Sequence, residues 1–366
     1  MLQRLAAFLV ASISLAYAQV APPPQYPPTH WPIRNGVYHI RNFRFGTGET
    51  LADLRLHYLT LGKPRRDAAG HTVNAVLLLH GTGGNAHTLL NPIFSDVLFG
   101  PGQPLDINRY FIILPDEIGH GESSKPSDGL RMKFPRYTYD DMVRAQHQLL
   151  LNALHVDHLR LVMGTSMGCM QSFVWGEMYP RFVDALMPLA CMPIEIAGRN
   201  RMWRYMAMQS IRDDPAWDNG NYTREPIEGL EGAADMLIIA VSAPQQMQKD
   251  YPTRRQAEEY VDQTVRNLVS HTDADDFLYQ FDASRNYNPQ PRLGSITAHV
   301  MWINSGDDFI NPPELEGLAQ ELAHRIPRGR YVLIPASMST YGHGTHTHAA
   351  VWKRYLIELL AASARR

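Results

Sequence analysis

The sequence predicts an α/β fold: a mostly parallel sheet flanked by helices, with a helical lid inserted before the late strands. Three observations carry that expectation. Short, unbroken apolar runs recur along the chain, helical patterns lie between them, and the alternation breaks from Met192 to about Pro291 before it resumes. Continuous apolar runs suit strands covered on both faces, and strand–helix alternation builds parallel sheets with right-handed crossovers.

In chain order, Met1–Ala18 stands apart. Arg4 precedes an apolar run from Leu5 to Leu15, and Ala16-Tyr17-Ala18 makes an A-x-A cleavage pattern before Gln19. That reads as a secretory signal, because a bilayer span needs ~20 apolar residues; a retained anchor is the alternative. Residues 19–35 hold Pro22-Pro23-Pro24, Pro27-Pro28 and Pro32, an extended segment. Strands are expected at Val73–His80, Tyr110–Pro115, Leu159–Met163, Ala185–Leu189, His299–Ile303 and Tyr331–Ile334. Helices are expected at Thr138–Leu154, where Met142, Val143, Leu149, Leu150 and Ala153 share a stripe, and at Gln171–Tyr179, stopped by Pro180. The core then comprises residues 36–191 and 292–366, and the lid residues 192–291.

Composition narrows the function classes. The 366 residues carry 34 Lys and Arg against 36 Asp and Glu, a formal charge of −2, with no long basic run. Nucleic acid, which demands clustered cations, is an unsuitable partner. Two cysteines cannot form a disulfide scaffold. Cys169 and Cys191 are expected near one edge of the sheet, either bridged in an oxidising compartment or free and buried.

Gly164-Thr165-Ser166-Met167-Gly168 directly follows one apolar run and precedes a helical pattern. This is the context of a nucleophile elbow, whose small flanking residues permit a tight strand-to-helix turn. The serine hydroxyl then projects near a helix N-terminus, where the Met167 amide can help hold an oxyanion. Serine is a weak nucleophile at neutral pH and needs a base with an orienting acid. Both candidates come late in the chain. Asp307-Asp308 follows the run ending at Ile303, and Gly342-His343-Gly344 follows the run ending at Ile334. Asp308 is favoured because in many related enzymes the acid stands four residues before a proline, as Asp308 does before Pro312; Asp307 is the alternative. His343 is favoured because its glycine neighbours free the turn. His343, His346 and His348 could instead suggest a metal, but no carboxylate stands at the matching spacing. His80-Gly81-Thr82-Gly83-Gly84 offers the second oxyanion amide, that of Thr82, and lacks the pattern of a phosphate loop. The charges of Asp116-Glu117 and their neighbours read as structural.

Taken with further segments, these motifs resemble the homoserine O-acetyltransferase family of the α/β-hydrolases. The segments are Gly100–Asp106, Tyr139–Gln146, Gly164–Gln171, Gln209–Tyr222 with Asp214-Pro215-Ala216-Trp217, Asp308–Pro313 and Gly342-His343. The resemblance implies Ser166 as nucleophile, Asp308 as orienting acid, His343 as base, and Thr82 and Met167 as oxyanion amides. Two departures bear on the reaction. The family's aspartate after Gly-His, which helps hold a substrate ammonium, is Gly344 here. Its Gly-Gly-Cys-x-Gly-Ser-Thr-Gly-Pro stretch is replaced by Gly119–Pro126.

These departures and the exported character favour water as acceptor. The sequence therefore reads as a secreted or periplasmic serine esterase cleaving small acyl esters, with no cofactor or metal and no membrane partner once the signal is cleaved. A homodimer stays open. The alternatives are O-acyl transfer to a small alcohol, hydrolysis of an amide or lactone, and a silent binding protein on the same fold.

Overall fold

A computed structural model describes residues 29–364. The signal segment and most of the proline-rich stretch lie outside the described residues. In chain order the strands are β1 (Arg34–Arg44), β2 (Thr50–Leu61), β3 (Ala75–Leu79), β4 (Phe111–Pro115), β5 (Leu161–Thr165), β6 (Ala185–Leu189), β7 (His299–Ser305) and β8 (Gly329–Ile334). The helices are α1 (Pro92–Leu98), α2 (Tyr139–Gln148), α3 (Met167–Met178), α4 (Gly198–Asp213), α5 (Ile227–Val241), α6 (Pro244–Asp250), α7 (Arg254–Ser270), α8 (Ala274–Asp282), α9 (Glu316–His324) and α10 (Ala349–Ala362).

One sheet runs β1-β2-β4-β3-β5-β6-β7-β8. The pairs β1/β2 and β2/β4 are antiparallel and the others parallel. Side-chain alternation explains why the apolar runs are unbroken. On β3, Leu77 and Leu79 enter one core with Val162 of β5, while Val76 and Leu78 enter the opposite core with Leu161 and Met163. Each face must therefore be covered, by α2 and α3 on one side and by α1 and α10 on the other. Full burial of such a side chain stabilises by ~1.5–3 kcal/mol, so the register Leu77↔Val162 resists a one-residue slip that would exchange the two faces.

All six expected strands form, with ends shifted by a residue or two at several of them. The long antiparallel β1 and β2 were not anticipated. Seven of the 11 residues of β1 are exposed, and on β2 Thr50, Asp53, Arg55, His57 and Thr60 interrupt the apolar residues, which dilutes the signal. The stripe expected over Thr138–Leu154 becomes α2, capped by Thr138 with Asp141, and then one π turn at Leu149–Ala153. Helix α3 starts at Met167, four residues before the expected Gln171, because it begins directly at the elbow. Between β6 and β7 the described chain forms α4 to α8. They enclose a separate small core of Trp203, Met208, Trp217, Leu230, Phe277 and others.

Cys169 and Cys191 form a disulfide, with Cα atoms 5.8 Å apart and a sequence separation of 22. It ties the first turn of α3 to the segment after β6. Closing a loop of that length removes unfolded-state freedom worth about 3 kcal/mol. Replacing both cysteines by alanine should lower unfolding stability by that amount in chemical denaturation under oxidising conditions, and reductant should then have no further effect.

Candidate active site

The site is assembled at the carboxyl ends of β3, β5, β7 and β8, where parallel strands deliver their following loops to one rim. Ser166 follows β5 with φ +54° and ψ −106°, a strained conformation for a residue with a side chain. Packing holds it there. Its N–H donates to Leu189 O at 2.8 Å, and Gly168 N–H donates to His80 O at 3.0 Å. No larger residue fits beside it: a Cβ on Gly168 would lie 2.2 Å from Leu79 O, and one on Gly164 2.0 Å from Gly168 O.

Ser166, His343 and Asp308 meet. His343 Nε2 lies 2.9 Å from Ser166 Oγ, and its Nδ1 lies 2.9 Å from Asp308 Oδ2. A carboxylate can only accept, so Nδ1 carries the proton and Nε2 is left to accept from the serine hydroxyl. Asp308 is buried and also accepts from Ile310 N at 2.8 Å and Asn311 Nδ2 at 2.9 Å. Burial pushes its carboxyl up, but the His343 ring and the Asn311 donors outweigh that and hold it below its ordinary value. It stays ionised against an imidazolium.

The adjacent acid has a different place. Asp307 accepts from Ser305 Oγ at 2.5 Å, Thr340 Oγ1 at 2.8 Å and Gly342 N at 3.0 Å, bracing the turn that presents His343. Gly342 adopts φ +57°, and a Cβ there would sit 3.0 Å from Ser242 O in the helical insertion. The other two histidines leave the chemistry. His348 stacks on Tyr341 with centroids 3.5 Å apart, and His346 meets the edge of His343 at 5.1 Å. Burial pushes His346 down to about 3, so it stays neutral beside the base. Among the described residues no group of His, Cys, Asp or Glu is arranged to hold a metal.

Met167 opens α3, so its N–H has no acceptor within the helix. Thr82 lies on the loop after β3, and the neighbouring Gly81 comes within 3.4 Å of Ser166 Cβ where its own Cβ would project. The loop after β3 thus runs beside the serine. The structural part that the sequence assigned to the charges of Asp116-Glu117 takes the form of a buried prop. Asp116 accepts from Ala86 N at 2.6 Å, Glu122 N at 2.8 Å and His57 Nδ1 at 2.8 Å. Burial pushes Asp116 up, but His57 and the two amides bring it below its ordinary value. His57 stands on β2, a strand the apolar pattern did not reveal. Asn311 was also missed, although an Asp followed by Asn three residues on is a local signal for a side-chain clamp.

A cavity of about 570 Å³ opens between the Thr82–Asn85 loop and the insertion. Thr82 lines it, whereas Ser166 and His343 do not. Leu230, Leu237, Val269, Phe277 and Phe281 form its apolar wall, and Lys125, Asp273, Asp276 and Gln280 supply polar groups. Asp273 pairs with Arg131 at 3.0 Å, and Asp276 accepts from Ser127 N and Oγ at 2.9 and 2.7 Å. Burial, then the nearby Asp273 charge, raises Asp276 to about 7. Burial likewise lifts Asp275 to about 6 and Glu225 to about 7.

Two expectations follow. Asp308→Asn should lower kcat by ~10²–10⁴ because the imidazole loses its orientation and counter-charge. Asp307→Asn should cost mainly stability, ~1–3 kcal/mol, with a far smaller loss of rate; pre-steady-state ester cleavage and denaturation separate the two. The raised acids set the second expectation. The folded state binds their protons more tightly than the unfolded chain, so the stability that these acids contribute should fall as pH rises from about 4 to 7. Asp276→Asn should make that fall shallower by at least ~1 kcal/mol, read from denaturation midpoints across pH.

Known proteins place this geometry. Residues 74–338 match the family model for the alpha/beta hydrolase fold. A homoserine O-acetyltransferase of Moorella thermoacetica is 32% identical over 342 residues, covering 81% of this chain and 87% of that protein. One from Pelobacter propionicus is 31% identical over 336 residues, covering 82% and 88%. The crystal structure of homoserine O-acetyltransferase from Bacillus anthracis superposes with a TM-score of 0.78 at 22% identity, covering 90% of this chain and 97% of that one. The chain belongs to the α/β-hydrolase superfamily and, within it, to the family of the homoserine O-acetyltransferases.

Proposed function

We propose that this protein transfers a small acyl group through an acyl-enzyme on Ser166, with a hydroxyl compound as acceptor. The observation that carries it is the continuous relay from Asp308 through His343 to Ser166, two contacts of 2.9 Å each. His343 Nε2 takes the serine proton as Oγ bonds to the donor's carbonyl carbon. The Thr82 and Met167 amides hold the oxyanion, and the donor's leaving group departs with the proton from His343. The acceptor hydroxyl then gives its proton to His343 and attacks the acyl carbon. Oγ leaves and recovers that proton.

The names of the curated relatives support an alcohol acceptor over the plain ester hydrolysis that the sequence favoured. The cavity also supports it. Its polar groups compensate in part for Gly344: Lys125 offers a cation whose one hydrogen bond here goes to Gly121 O at 3.0 Å, and Asp273 and Asp276 offer carboxyls. An acceptor bearing a carboxylate and an ammonium group finds a partner for each. The helices α4 to α8 act as the lid over this acceptor space. Water as acceptor is the second reading, favoured by Gly344 and by Gly119–Pro126 where the family has other residues.

We place the mature enzyme outside the cytoplasm. The A-x-A pattern at Ala16–Ala18 and the Cys169–Cys191 disulfide, which an oxidising compartment sustains, support that location.

Incubation with 4-nitrophenyl acetate, with and without homoserine, tests the acceptor. Acceptor-dependent O-acetylhomoserine, seen by mass spectrometry and growing at the expense of acetate, is the expected outcome. Nitrophenol release with acetate as its sole partner at saturating homoserine would leave water as acceptor. Ser166→Ala should reduce either activity by at least ~10⁴ while preserving the fold; undiminished turnover would overturn the mechanism.

A further inference from the structure

Arg204, on α4, is 2% exposed. Its Nε donates to Asn200 Oδ1 at 2.8 Å, one turn earlier in the same helix. The guanidinium lies against two aromatic rings, 4.9 Å from Trp203 and 5.4 Å from Phe281. Its Nη1 has no hydrogen-bond partner, and among the described residues no carboxylate stands within 4.0 Å of it. The charge of Arg201, which acts on it, has the same sign. A buried, unpaired cation is among the costlier arrangements a protein can hold, and ring quadrupoles offset only part of that cost.

The surroundings add donors and no charge of opposite sign. Trp203 Nε1 is buried without a partner. Tyr139, at the first turn of α2, is 1% exposed and acts electrostatically on Arg204. Its hydroxyl interacts with that of Ser284, which itself donates to Phe281 O at 3.0 Å. Two unpaired N–H groups, on Arg204 and Trp203, are therefore buried where α4 of the insertion meets the core. Water would accept their hydrogen bonds but would bring no countercharge.

We propose that Arg204, with Trp203 beside it, forms a buried binding site for a small monovalent anion, a halide or a carboxylate the size of acetate. One guanidinium matches one negative charge, and the near-complete burial of both side chains limits the ion's size. Phe281 packs against this site and also lines the 570 Å³ cavity, so the anion would brace the wall on which acceptors rest.

Thermal unfolding is followed in sodium chloride and in sodium acetate, each titrated at ionic strength held with sodium sulfate. The wild-type midpoint should rise saturably with chloride, acetate or both, by about 2 °C per tenfold increase above half-saturation. Arg204→Met, which keeps the apolar contacts, should show no such rise and should equal or exceed the wild type without either anion. Trp203→Phe, which removes one donor, should keep the rise with affinity about fivefold weaker. A bromide-grown crystal should place an anomalous peak in hydrogen-bonding reach of Arg204 Nη1. A chloride response alone makes the ligand a halide, and a response to both admits carboxylates. A wild-type midpoint indifferent to both anions, an unchanged response in Arg204→Met, or water alone at Nη1 would overturn the site. Should Arg204→Met fail to fold, Trp203→Phe and the bromide crystal decide the matter.

Discussion

The arrangement depends on one strained residue. Ser166 can stand at φ +54° only because three backbones crowd it into place: β5 before it, α3 after it and the end of β3 beside it. The strain costs on the order of 1–3 kcal/mol. The cost is offset by a sheet whose central strands are wholly buried and by the hydrogen bonds from Ser166 N to Leu189 O and from Gly168 N to His80 O. Loosening that crowding would let the serine relax out of reach of His343.

The second element of the site is a division of labour between neighbouring acids. Asp308 faces the imidazole and is clamped by Ile310 N and Asn311; Asp307 points the other way and braces the Thr340–Gly342 turn. One acid therefore orients the base while the other fixes the loop that carries it. Under the opposite loop, Asp116 does comparable structural duty for the Thr82 segment, with His57 beside it. The disulfide adds a covalent tie between α3 and the segment after β6, close to the elbow.

The helical insertion brings its own problem of charge. Docking it on the core buries Asp275, Asp276, Glu225 and Arg204 in surroundings that disfavour their ionised forms. The acids can take up protons near neutrality, whereas a guanidinium has no such escape. The insertion is thus fastened by polar groups whose state depends on pH and on anions, while the sheet beneath it is fastened by apolar packing that depends on neither.

What the sequence determined by itself is local or periodic. Strands buried on both faces declared themselves as apolar runs, and Gly164–Gly168 was legible because an elbow demands small residues at fixed spacing. Ser166, Asp308 and His343 each follow a recognisable strand, so their convergence could be expected from the order of elements. Strands β1 and β2 escaped notice because β1 is largely exposed and polar residues interrupt the apolar ones along β2. Only the tertiary structure decided which of two adjacent carboxyls faces the imidazole, that Cys169 and Cys191 lie close enough to bond, and that Arg204 is buried without a counter-ion. Each of these turns on the direction of a side chain or the distance between segments far apart in the chain, and neither is encoded in spacing along it.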